Sequence, residues 1–150
     1  LASLDRICQL IAEGQRVVAI DPFYFGESKI ANQAWLFAIL VAALGDRPLG
    51  IEAGQVAATA RWLHSARRLG PVTVVSVGPR SSLFSLVAAA LEPRAIAGIE
   101  QHGAMSSLKE IIARDITVDQ QPEQFCFGLL EEFDIPQLTA LVNPRPVTNR

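Results

Sequence analysis

The sequence predicts an α/β fold in which a mostly parallel sheet carries flanking helices, and three observations lead there. Short runs rich in β-branched residues, such as residues 71–77 (PVTVVSV), do not alternate strictly between apolar and polar side chains, as in strands covered on both faces. These runs alternate with stretches whose apolar residues recur at helical spacing. Hydrophobic residues make up 50% of the 150-residue chain, and the mean hydropathy is +0.29. That proportion suits a sheet buried on both faces, or core surface left uncovered. The length sets one domain, residues 1–150, as the expectation.

The elements follow in order. Residues 12–21 (AEGQRVVAID) read as the end of a helix, a turn at Gly14 and a buried strand. Asp21 then opens a loop, which it orders by bonding backbone amides towards Gly26 and Ser28. Residues 34–45 (AWLFAILVAALG) form an apolar helix ended by Gly45. At this length it falls short of the roughly 20 residues that span a bilayer, so it is expected to be buried under the sheet. Residues 50–63 form a second helix whose C-terminal end is followed by Arg67, Arg68 and the closing Gly70. With Arg61 these arginines are the one basic cluster, placed where cations complement a helix dipole on a solvated face.

Residues 71–77 are a strand bounded by Gly-Pro on both sides, and a helix begins at once. Ser81 and Ser82 have the chemistry of N-caps, and Leu83, Leu86, Val87, Ala90 and Leu91 keep helical spacing until Pro93. Residues 95–100 (AIAGIE) are another strand. Glu131, Glu132 and Asp134 suggest a solvated acidic surface, and residues 138–147 (LTALVNPRPV) lead into a late strand.

A strand, a tight turn and a helix are the setting of a nucleophile elbow, G-x-S-x-G, in which a strained backbone presents a serine beside helix N-terminal amides. Two registers are open at residues 76–82 (SVGPRSS). With Gly78 as the first glycine, Arg80 takes the nucleophile position and Ser82 replaces the last glycine. With Ser76 in place of the first glycine, the nucleophile position is Gly78. Neither supplies a hydroxyl, and a guanidinium that stays protonated is no nucleophile. Ser81, one residue off, is the catalytic candidate, set against a helix-capping role.

The chain resembles the acetyl xylan esterase and dienelactone-hydrolase-like branch of the α/β-hydrolase superfamily. The elbow unit, residues 21–28 (DPFYFGES) set beside D-x-R-G-x-G-x-S, the helix over 50–63 and the PRPV approach carry the likeness. Phe23 and Tyr24 depart from that loop pattern. The resemblance implies an acyl-ester hydrolase fold running from helix A through strand 4, an inserted helix, helix B, strand 5, helix C, strand 6 and helix D to the start of strand 7. It also implies that the family's first three strands and oxyanion loop lie before Leu1, and its acid and histidine beyond Arg150. The expectation is therefore an incomplete domain without hydrolytic activity, its open edges packed against further chain segments or another subunit. Strand 3 of the family lies between strands 4 and 5, so those two should lack their shared neighbour.

Other roles are narrowed by what the chain carries. A net charge of −2 and a pI near 5.7 give no electrostatic reason to expect nucleic acid or an anionic membrane. No G-x-G-x-x-G or Walker sequence prepares a nucleotide site. Cys8 and Cys126 form no metal or disulfide pattern, so no metal and no cofactor are expected. His64 lies on the second helix, in a polar or capping role, whereas His102 follows a strand at the carboxyl edge, where α/β folds place ligands. Glu100 and Asp21 end their strands at the same edge. The binding candidates are Gly78, Arg80, Ser82 and His102, and an ester or carboxylate is the ligand they suggest, Arg80 and the serines offering anion contacts at a helix N-terminus.

Overall fold

The computed structural model describes residues 2–150, in which helices dominate and three short strands form one all-parallel sheet. The chain runs through α1 (Ala2–Ala12), a 3-10 turn (Gly26–Ser28), α2 (Ala34–Ala43) and α3 (Pro48–Arg61), which continues as a π-turn (Trp62–Ala66). Then come β1 (Val72–Val77), α4 (Pro79–Leu91), β2 (Ile96–His102), α5 (Glu110–Ala113), a 3-10 turn (Pro122–Gln124), α6 (Leu129–Glu132), α7 (Ile135–Val142) and β3 (Val147–Asn149).

The strands lie in the order β1-β2-β3. Val77 pairs with His102 at the carboxyl end of the first ladder, and Ile99 pairs with Val147 in the second. Helix α4 packs against both α3 and α7, and the buried residues of these helices share one core with Ile96 and Ile99 of β2. On α4, Ala88 and Ala89 are wholly enclosed, so small side chains bring that helix close to its neighbours.

Two local features place β3. A Cβ at Gly98 would sit 2.8 Å from Pro146 Cγ and 3.0 Å from its carbonyl oxygen, so only glycine lets the PRPV segment pass. Alongside, the Ile99 amide donates to Pro146 O at 2.9 Å. Arg145 reaches back to the end of α4, where Nη2 donates to Ala89 O at 2.7 Å and Nη1 to Ile96 O at 3.0 Å. The arginine of that motif thus closes a helix whose last carbonyls would otherwise lack partners.

Several expectations are corrected. Residues 15–22 belong to no strand and join no ladder. Val18 is 52% and Ile20 40% exposed, because among the described residues no neighbouring strand covers a run that is apolar enough to be one. The free edge of β1 likewise has no strand partner among the described residues. Helix α2 forms as expected but is not buried. Only Ala38 and Val41 are enclosed, while Trp35, Leu36, Phe37, Ile39 and Leu40 face outwards, since the main contacts of α2 are with α3 and the Pro122–Gln124 turn. Ser81 and Ser82 do not cap α4; Gly78 does, in a backbone conformation with φ +95°, and Pro79 takes the first helical position.

Asp134 is no mere surface acid, since it caps α7 in a reciprocal box with Gln137 and also binds Ser107 and the Leu108 amide. Nor is the arginine cluster simply solvated: Arg61 binds Glu92 at 2.8 Å and Arg67 lies over the Trp62 ring. The Asp21 loop is built as anticipated. Its carboxylate accepts from the Glu27 amide at 3.1 Å and its carbonyl from Ser28 Oγ at 3.2 Å. Gly26, at φ +48°, lets that carboxylate lie where a Cβ would otherwise sit.

Candidate functional site

The carboxyl ends of β1 and β2 are locked together by the Gly78 amide, which donates to His102 O at 2.7 Å. Four of the sequence candidates therefore cluster where the chain turns from β1 into α4, with His102 on the adjacent strand. The side chains of Arg80, Ser81 and Ser82 are already engaged. Ser81 Oγ donates to Val77 O at 2.7 Å, a bond back across the turn, and Ser82 is buried with its hydroxyl 3.3 Å from that of Ser76. Gln101 on β2 donates to Ser82 O at 2.8 Å, which ties α4 to the sheet once more.

His102 does not face the serines. Its Nε2 lies 2.7 Å from Glu100 Oε1, and Glu100 is gripped by both Nε and Nη2 of Arg6, at 2.7 and 2.8 Å. These bonds from Arg6 hold the Glu100 carboxylate below its ordinary pKa, and His102 adds to the effect, against the opposing cost of burial. Glu100 and His102 thus anchor α1 to the end of β2, while Asp21 stays within its own loop. Among the described residues no serine or threonine hydroxyl bonds to His64 or His102, and no group of three or more His, Cys, Asp or Glu could hold a metal.

The centre of the arrangement is Arg80. It points from the first turn of α4 over the face of Phe25, 4.5 Å from the ring centroid, and forks onto Glu123 of the 3-10 turn through Nε and Nη2. Glu123 is completely enclosed. Burial pulls the guanidinium pKa down, yet the hydrogen bonds and charge of Glu123 outweigh it and leave Arg80 above its ordinary value.

Beside the pair stands Glu52, on the buried face of α3 with Leu49, Ala53 and Val56. It is 0% exposed, and neither carboxyl oxygen has a hydrogen-bond partner among the described residues. Burial pushes its pKa up to about 9, with Glu123 adding to the rise and Arg80 opposing it. Tyr24, at φ 68° and also buried, donates its hydroxyl to Ala34 O at 3.0 Å. Burial and then the nearby acids raise that phenol to about 12.

Arg80 also lines an open cleft of about 400 Å³ with Tyr24, Lys29, Asn32, Asp119 and Pro122. Sequence reasoning reached Arg80 but not Glu52, Glu123 or Tyr24. Glu52 carried a signal, since it falls three residues after Leu49 and four before Val56, inside an apolar stripe. Glu123 carried none, because 43 residues separate it from Arg80.

The arrangement is a packed electrostatic clamp between α3, α4 and the Pro122–Gln124 turn. No single helix among the described residues is long and apolar enough to cross a membrane. The chain matches no family model, no curated protein and no solved structure.

Proposed function

We propose that the chain is a segment of α/β-hydrolase type, akin to acetyl xylan esterases, in which the elbow has become a structural clamp and no ester is turned over. One observation carries the reading. Of the two elbow registers after β1, one puts Arg80 and the other Gly78 where a nucleophile would stand, and the Arg80 guanidinium is committed to the buried Glu123. Acyl transfer needs a nucleophile, a base and oxyanion donors in mutual reach. The neighbouring hydroxyl, Ser81, is spent on Val77 O, and the nearest histidine, His102, is spent on Glu100.

The test is turnover of an aryl acetate by the purified chain. The expected rate is the background rate, unchanged by Ser81→Ala. Turnover above background that disappears in Ser81→Ala would overturn the proposal.

A second reading, capture of a small carboxylate without turnover, is favoured by Arg80 and Lys29 lining the same open cleft. Under it, acetate binding seen by calorimetry should vanish in Arg80→Ala. Unchanged binding removes it.

A further inference from the structure

Glu52 and Glu123 both act on the charge of Arg80 from different elements, and only Glu123 is bonded to it. Arg80 belongs to α4, Glu52 to α3, and Glu123 to the Pro122–Gln124 turn, which packs on α2, α3 and α4. Glu52 is as fully enclosed as Glu123 but has no partner for either oxygen among the described residues. A carboxylate left ionised in that setting would be costly, and Arg80, the cation whose charge opposes that cost, is already taken by Glu123.

We propose that Arg80 is the shared contact of a proton-controlled latch: while Glu52 keeps its proton, Arg80 holds Glu123 and docks the Pro122–Gln124 turn, and when Glu52 ionises it draws on the same guanidinium and the turn loosens. The inference is independent of the reading of the elbow as non-hydrolytic.

The groups around Glu52 support a single transition. Burial, followed by the charge of Glu123, holds its proton up to about pH 9. Arg80 stays charged throughout, since its pKa lies above the ordinary arginine value. Tyr24 keeps its proton to about 12. Helix α2 brings no titratable residue to this side, and His64 lies a further twelve residues along from Glu52, beyond the end of α3. Burial pushes the Cys126 thiol, just beyond the turn, above its ordinary value, and it is common to wild type and Glu52→Gln, so Glu52 is the group whose charge separates the two proteins between neutral and mildly alkaline solution.

Loosening would be felt first by the two amides that close the turn, Gln124 N to Gln121 O at 3.1 Å and Phe125 N to Pro122 O at 3.3 Å. Hydrogen exchange of the whole chain, expressed as protection relative to the intrinsic rate at each pH, reads them directly. Between about pH 7 and about pH 10 the wild-type protection of these amides is expected to fall by about tenfold, the scale of one lost charge-assisted contact, while Glu52→Gln holds its value. In Glu123→Gln the protection should be low at both pH values. Equal behaviour of wild type and Glu52→Gln, or wild-type protection in Glu123→Gln at neutral pH, overturns the latch. Should Glu52→Gln fail to fold, Glu52→Met supplies an uncharged side chain of similar length and the same comparison.

Discussion

Replacing Glu52 by glutamine should stabilise the chain, by an amount that grows with pH. The folded-state pKa is raised from 4.5 to about 9. An acid whose folded pKa is raised contributes stability that is fully present below its unfolded value. That contribution is lost as pH climbs towards the folded one. At pH 7 the loss spans the interval from 4.5 upwards, which at 1.36 kcal/mol per unit amounts to about 3 kcal/mol. By pH 9 the same arithmetic approaches a ceiling of about 6 kcal/mol. Glutamine has nearly the same shape and never ionises, so Glu52→Gln should match wild type near pH 4 and pull away above it. Urea unfolding of both proteins at pH 5, 7 and 9 provides the assay. With a slope of about 2 kcal/mol per molar urea, the midpoints should differ by about 1.5 M at neutral pH. A midpoint difference that stays constant with pH would refute the reasoning, because it would show that Glu52 is not a buried acid holding a proton.

Two further outcomes follow from the way β3 is placed. Arg145→Ala removes the donors that satisfy Ala89 O and Ile96 O and should cost about 2–3 kcal/mol, read as a lowered Tm without a change of fold. Gly98→Ala pushes a methyl group into Pro146 and should destabilise by about 1–3 kcal/mol, with loss of protection at the Ile99 amide as its local signature.

The parts legible in the sequence are those decided by local chemistry. The strand β1 and the helix after it were visible because a β-branched run, a Gly-Pro turn and a helical spacing all agree. The loop after Asp21 was visible because aspartate and glycine define such turns by themselves. The same strand criterion failed at residues 15–20, where the side chains are right but no ladder partner is present among the described residues, and a strand exists only by pairing. Helix α2 shows the complementary error. Its composition reports an affinity for apolar surroundings, not their presence. At the candidate site, the place of Arg80 could be read from the elbow pattern, whereas its attachment to Glu123 depends on how a distant, proline-initiated turn folds back. Ser81 and Ser82 carry the right chemistry for caps, but the glycine before Pro79 takes that position through its backbone.

The reach of Arg145 also sets an order of assembly. The helix it closes ends at Leu91, and its contacts bridge separations of 49 to 56 residues, so α4 cannot gain its final cap until β2 has formed and the chain has returned through α7. Such a contact requires a long loop to close before it gives any reward, which places it late on the route to the native state. Disrupting it should leave the folding rate nearly untouched and speed unfolding instead, so the arginine of the PRPV segment governs how long the native state lasts more than how quickly it is reached.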